Sequence, residues 1–311
     1  MASVRKLALF YAWILICGAA PRGIAQPLPA ASTPAPGIAG WFERVEQTQA
    51  EQPHWITPLV TVTPRLEEEF RFDFFHQEQS GGARTDVYGA GKGLELIPAR
   101  RVEIILGVPA YFVHRPAPGL DGWGDTSFLV KYRLLSSNEE RKNYILTVFF
   151  AASVPTATRG NGAGHTIFTP TLAAGKGWGH FDVQSTFGVT IPSGALGRLG
   201  SPLTWNTAFQ YRGLRKLWPE LEVNSTFWPN GSRRGKNQVF LTPGLVGAGR
   251  PTDAPHYQVS LRPNWICLAV VEVEVMTPAV WRGAMEPEAK TTGFGVLKLA
   301  RFKRLKNSPR S

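Results

Sequence analysis

Beyond about residue 63 the chain keeps a two-residue rhythm, in segments of roughly ten residues divided by turn-rich stretches. One segment shows it plainly. Phe128, Val130, Tyr132 and Leu134 share one parity, and Asp125, Ser127, Lys131 and Arg133 share the other. Successive side chains of a strand point to opposite faces, so each such segment has one apolar and one polar face. A chain with this pattern must bury or cover many apolar faces at once.

The rhythm recurs along the chain. Leu66, Phe70, Phe72 and Phe74 oppose Glu67, Glu69, Arg71 and Asp73. Val102, Ile104, Leu106 and Val108 share a face, as do Tyr144, Leu146, Val148, Phe150 and Val154. Phe181, Val183, Phe187, Val189 and Ile191 oppose Asp182, Gln184, Thr186 and Thr190. Trp205, Phe209 and Tyr211 oppose Thr204, Asn206, Gln210 and Arg212, and Leu221, Val223 and Phe227 oppose Glu220, Glu222 and Asn224. Weaker segments near 87–97, 166–174, 238–248 and 257–261 bring the strands to eleven, and 265–275 offers a twelfth. In the segment at 87–97, Gly89, Gly91 and Gly93 share a face with Glu95 and predict a thin side-chain layer.

Long Gly-rich connections, such as 76–84, 114–122, 156–164, 193–201 and 229–237, alternate with short ones, such as 98–100 and 175–179. That asymmetry suits a bacterial barrel with long outer loops and short periplasmic turns. A two-sheet sandwich also alternates, with its apolar face toward a core. Strand lengths near ten residues and aromatics near strand ends (Trp123, Tyr144, Trp205, Tyr211, Trp228) favour the membrane barrel. So does a charged fraction of 18%, below the roughly 25% of soluble domains. The expected fold is therefore all-β, an antiparallel transmembrane β-barrel of about 12 strands with its apolar face toward lipid. Its expected inward polar set is Glu69, Arg71, Asp73, Asp125, Lys131, Arg133, Asp182, Gln184, Asn206, Gln210, Arg212 and Glu222, lining a pore or filling the lumen.

Four regions are expected. Residues 1–25 read as a cleavable signal peptide, with Arg5 and Lys6 before an apolar core and Gly23-Ile24-Ala25 before the cut. Residues 26–62 read as a flexible periplasmic leader, Pro- and Ala-rich at its start, with a turn or two of helix near 41–50. Residues 63–275 are the barrel. Residues 276–311 are a basic, atypical C-terminal tail, diverged or frameshifted. It carries Arg282, Lys290, Lys298, Arg301, Lys303, Arg304, Lys306 and Arg310 against Glu286 and Glu288. The net charge of +11 is thus concentrated at one end, and in an exported chain it suits contact with acidic lipid, or no function, rather than nucleic acid. With Cys17 in the signal peptide and Cys267 alone beyond it, no internal disulfide is expected.

No catalytic motif stands out. The six histidines are scattered without metal-ligand spacing, and Gly-x-Ser-x-Gly is absent. Neither an enzyme nor a cofactor nor a metal is expected. The expected localisation is the outer membrane of a Gram-negative cell. The expected partners are its lipid, the barrel-assembly machinery and small-molecule solutes. The expected function is passive passage of small molecules, hydrophobic or aromatic ones among them; the alternative is a non-conducting structural or binding barrel with a plugged lumen.

Four stretches carry a family resemblance: Pro53-His54-Trp55-Ile56-Thr57-Pro58-Leu59, the run from Arg65 to Phe74, Gly122-Trp123-Gly124-Asp125-Thr126-Ser127 feeding Lys131-Tyr132-Arg133-Leu134-Leu135, and Gln238 to Gly244. Over roughly residues 53 to 261 the chain resembles the outer-membrane barrels grouped under the MetA pathway of phenol degradation. The resemblance implies a transporter-like channel. Such barrels usually end in an aromatic strand terminus, whereas this chain ends Asn307-Ser308-Pro309-Arg310-Ser311.

Overall fold

A computed structural model describes residues 38–78, 83–115, 120–213, 217–248, 265–278 and 290–301. Among the described residues one helix, α1 (Ile38–Ala50), precedes fifteen strand segments. These are β1 (Glu69–Glu78), β2 (Arg84–Ala99), β3 (Val102–Leu106), β4 (Tyr111–Arg115), β5 (Gly122–Trp123), β6 (Thr126–Ser137), β7 (Tyr144–Val154) and β8 (Ile167–Trp178), followed by β9 (Phe181–Val189), β10 (Ile191–Pro192), β11 (Leu203–Tyr211), β12 (Leu217–Phe227), β13 (Lys236–Ala248), β14 (Trp265–Pro278) and β15 (Lys290–Arg301). A short helix, α2 (Leu196–Leu199), sits in the connection before β11.

Every pairing is antiparallel, and the pairings return on themselves. β1 pairs with β2 on one side and with β15 on the other, at a register of Glu69 opposite Arg301. Between them the order runs through β14, β13, β12, β11, β9, β8, β7, β6 and β3 to β2. Three staves are interrupted. β4 continues β3 beside β2, β5 continues β6, and β10 continues the β9 ladder against β8. The closed ring therefore has twelve staves, an even number that lets first and last strands meet antiparallel.

The wall is least regular at β2. Its register against β1 slips on both sides of Asp73, and Gly89 and Gly93 have φ of 81° and 84°. A Cβ on Gly93 would stand 2.3 Å from the Leu106 carbonyl oxygen, so the close backbone approach requires glycine as much as the left-handed turn does.

The two faces are inverted relative to a soluble fold. Leu172 and Phe150 are 49% and 51% exposed on the outside, whereas Lys131 and Glu222 are 0% exposed within. Aromatics gather toward both ends of the staves. Tyr111 with Trp123, Phe150 with Phe168, and Phe187 with Trp205 lie toward the long connections. Trp178, Phe181 and Phe209 stack in series at the short-turn end. Phe168 and Trp178 are the outward aromatics near either end of β8, and Leu172 lies between them. Their spacing, at about 3.3 Å per residue and a tilt near 40°, gives an apolar band of about 25 Å. Outward polar groups within it bond each other: Trp205 Nε1 donates to Ser185 Oγ at 2.9 Å, and Ser185 lies 2.9 Å from Thr207 Oγ1.

Three expectations change. Residues 38–62 are not a flexible leader: they form α1 and a buried extended segment. Strand β1 begins at Glu69, not near residue 63, and Leu66 is 0% exposed inside the molecule rather than facing outward. The last stave, β15, comes from the stretch read as a tail, whose sparse alternation of apolar residues with Thr, Gly and Lys hides a strand. The twelfth segment expected at 265–275 is present as β14. The signal peptide and the strand expected at 257–261 lie outside the described residues.

Candidate functional site in the barrel lumen

The lumen is occupied by residues 38–68, which precede β1. Helix α1 buries Val45 against Leu66 and Ile97, with Trp41 packed alongside. Its C-terminal carbonyls have no partners within the helix. The wall supplies them: Arg133 Nη1 donates to Thr48 O at 2.7 Å, Ser136 Oγ to Glu51 O at 2.7 Å, and Asn138 Nδ2 to Ala50 O at 3.2 Å. A guanidinium at this end also opposes the negative pole of the helix dipole. Glu51 returns the charge, pairing with Arg133 at 2.8 Å and with Arg100.

Residues 52–68 then cross the interior without regular structure. Pro53, Pro58 and Pro64 prevent a ladder there. Such a backbone still needs a partner for each buried N–H and C=O. Gln52 supplies two at once, donating to Leu66 O at 2.7 Å and accepting from Leu66 N at 2.9 Å, and so clasps the segment into a loop. The barrel wall supplies most of the rest. Leu59 N donates to Glu220 at 2.9 Å, and Val60 N and Thr61 N donate to the two oxygens of Glu222 at 2.7 and 2.6 Å. Gln184 Nε2 donates to Ile56 O at 2.9 Å, Thr147 Oγ1 to Pro64 O at 2.6 Å, and Lys131 Nζ to Arg65 O at 3.1 Å. Glu67 N donates to Glu103, which also holds Lys131 at 2.9 Å. Arg71 donates to Pro58 O and Leu59 O while paired to Asp73 at 2.8 Å.

Apolar contacts complete the seat. Ile56 and Leu59 pack with Trp218 and Val246, and Phe75 lies against them. Trp55 sits over Gly175 and Gly177 of β8, where a Cβ would fall 2.4 Å and 2.8 Å from its ring atoms. At the short-turn end His54 donates its amide to Glu139 at 2.6 Å, and its ring lies 2.9 Å from the same carboxylate. Partial burial pushes the Glu139 carboxyl up, but the hydrogen bonds from the His54 ring and amide outweigh it and bring it down to about 2.

Most of the residues expected to face inward meet this segment or one another. Glu69, Arg71, Asp73, Lys131, Arg133, Asp182, Gln184, Gln210 and Glu222 are all buried, and Asn206 is half-buried on the same face. Gln184 bridges Asp182 and Gln210, and Gln210 donates to Glu220. Two residues stand elsewhere. Asp125 lies between β5 and β6 and organises the loop above, accepting from Ala157 N at 3.0 Å and Ala163 N at 2.8 Å. Arg212 follows the end of β11, is exposed, and lies 5.7 Å over the Trp218 ring. Both carry the expected parity but lie beyond the ladder that would turn them inward. Sequence reasoning missed Glu103, Glu95, Glu220 and the seat for Trp55. Glu220 shares the polar parity with Glu222, and Glu103 lies opposite the apolar parity of its own segment, so the rhythm already held that signal.

Among the described residues, no group of three or more His, Cys, Asp or Glu is placed to hold a metal ion. No helix among them is long and apolar enough to cross a membrane, which says nothing of strands.

No family model matches the chain, and no curated protein matches it. Among solved structures, a KdgM porin aligns with a TM-score of 0.41 and 9% identity, over 75% of this chain and 99% of that one. A likeness of that depth adds nothing to what the strand pairings establish.

Proposed function

We propose that the chain is an outer-membrane barrel whose passage for small solutes is closed at rest by its own N-terminal segment. The observation that carries this reading is the occupied lumen: carboxylates and amides of the inner wall bond the backbone of the segment at Ile56, Leu59, Val60 and Thr61. The membrane part rests on the aromatic bands and the apolar exterior between them, which match what lipid requires. The signal-peptide reading of residues 1–25 and the resemblance to the MetA-pathway barrels agree with export and insertion by the barrel-assembly machinery. Passage then requires the segment to shift, because it fills the lumen and engages Arg71, Lys131, Arg133, Gln184 and Glu222 of the residues expected to line a pore.

A second reading, a permanently plugged binding barrel, is favoured by the number of wall residues committed to the segment. One experiment separates them. Thr61 Oγ1 lies 3.2 Å from Asn224 Oδ1, so Thr61→Cys with Asn224→Cys, in a Cys267→Ser background, allows a disulfide between segment and wall. The gated passage predicts solute flux into liposomes that stops on oxidation and returns on reduction. Flux that persists through the cross-link overturns the closure. No flux in either state, with the barrel folded, leaves the plugged barrel.

A further inference from the structure

The long connections between β7 and β8, β9 and β11, and β12 and β13 emerge side by side at one end of the barrel. Together residues 155–166, 193–202 and 228–236 carry Arg159, Arg198, Arg233, Arg234 and Lys236, and no Asp or Glu. All five of these residues are exposed. The carboxylate that reaches the first loop from below, Asp125, is taken up by the amides of Ala157 and Ala163. Among the described residues none of the five cations is paired with a carboxylate.

Like charges gathered on neighbouring loops repel, so other bonds must hold these loops together. Arg198 Nη2 donates to Ala163 O at 2.7 Å and ties the second loop to the first. Ser232 Oγ donates to Arg198 O at 2.7 Å, and Ser201 N to Asn230 Oδ1 at 2.5 Å, tying the third loop to the second. Their backbones meet where Gly200 and Gly231 have φ of 71° and 79°, and a Cβ on Gly231 would stand 2.5 Å from Gly200 Cα. The Arg233 guanidinium lies 5.3 Å over the Trp228 ring, a stacking that steadies its plane and leaves its N–H edge for an anion. Positive charge held in place without a counter-charge draws anions to the surface above it.

The height of the loops selects the anion. Phe168, Phe187 and Trp205 belong to the aromatic band at this end of the same staves, a few residues from the loops. The five cations therefore stand at the level of the outer headgroups, where basic clusters bind anionic lipid. The outer leaflet of a Gram-negative outer membrane is made of a phosphorylated glycolipid. We infer that this rim is a docking surface for the phosphate groups of that glycolipid. A guanidinium takes two oxygens of one phosphate, and Lys236 adds a point charge beside it. A dissolved anion meets the same charges, but the lipid keeps its phosphates permanently at this height. The inference rests on the outer-membrane reading of the barrel and is independent of the closure of its passage.

The full chain, refolded in a zwitterionic detergent, is titrated with bisphosphorylated lipid A and with the same lipid stripped of both phosphates, and bound lipid is counted by native mass spectrometry. The phosphorylated form is expected to bind at least about tenfold tighter, the combined effect of several exposed charge pairs. Arg233→Gln, Arg234→Gln and Lys236→Gln together are expected to remove most of that preference. Arg141→Gln with Lys142→Gln, exposed at the short-turn end, is expected to leave it unchanged. Equal binding of the two lipids by a chain with the heat-modifiable mobility of a closed barrel, or a native preference in the folded triple variant, overturns the surface and leaves the outer-membrane reading standing. Tripolyphosphate that displaces the phosphorylated lipid at equal concentration overturns the choice of lipid, since a dissolved anion then serves as well. A chain that never gains that mobility overturns the barrel reading, and the surface with it.

Discussion

Replacing Glu222 by Gln tests the seat of the N-terminal segment most sharply. In the native chain each carboxylate oxygen of Glu222 takes one backbone amide, Val60 N at 2.7 Å and Thr61 N at 2.6 Å. A carboxylate accepts at both oxygens, whereas an amide of the same shape accepts at one and donates at the other. Glu222→Gln therefore leaves one buried N–H facing a donor, a cost of about 1–3 kcal/mol, and removes the charge from the remaining bond. A shift of about 3 kcal/mol multiplies the displaced population roughly a hundredfold. Two assays read it: opening frequency in planar bilayers, and protease cutting within residues 38–68 of the refolded protein. Both should rise by one to two orders of magnitude, while Leu221→Val, next along β12 but facing outward, changes neither. If Glu222→Gln keeps the native heat-modifiable mobility of a closed barrel yet both readouts stay within twofold of native, the carboxylate does not hold the segment and the reasoning is wrong.

Three further outcomes follow from the geometry. Leu172→Arg places a charge midway along the apolar exterior and should cost about 2–4 kcal/mol in refolding into liposomes; a cost below about 0.5 kcal/mol would place that face in water. Gly175→Val puts carbon where the Trp55 ring lies and should unseat residues 53–57, seen as new protease sites there with the barrel intact; a native digest pattern would refute the contact. The Glu139 carboxyl, lowered from 4.5 to about 2 by His54, contributes docking stability that is complete above the ordinary carboxylate range and lost as pH falls through the lowered value. Hydrogen exchange at residues 52–56 should therefore quicken between about pH 4 and pH 2, and Glu139→Gln should flatten that dependence; an unchanged acid profile in the variant would exclude the pair as its cause.

Much of the barrel was legible because its alternation has one physical source. Lipid admits only closed ladders with an apolar exterior, so Phe128, Val130, Tyr132 and Leu134 had to point one way and Lys131 and Arg133 the other. What escaped the rhythm lacked one of its causes. β15 runs through Thr291, Thr292, Gly293 and Gly295, small residues that leave the apolar parity faint. The filling of the lumen was hidden for a different reason. Parity tells which side chains turn inward but not what meets them, and water and a buried backbone ask for the same donors and acceptors. The sign was present outside the strands. Trp55, Ile56, Leu59 and Leu66 are too apolar for a solvated leader, and Pro53, Pro58 and Pro64 let that stretch cross a lumen without competing for the sheet.

The pairing of β1 with β15 joins the first and last of the described staves, Glu69 with Arg301. The segment held inside lies just before β1 and is made before any of the staves, whereas β15, which seals it in, is made after the other staves. Bringing such distant partners together is the slow, entropically costly step of assembly. Until then the growing sheet is an open trough with unmatched carboxylates along its floor, and residues 52–68 are the nearest backbone able to satisfy them. The clasp between Gln52 and Leu66 fixes that segment's path by a contact only fourteen residues apart. The piece that closes the passage in the finished barrel is thereby suited to serve earlier as the form around which the wall is wrapped, and a chain lacking it should curl and seal more slowly even if the final staves are the same.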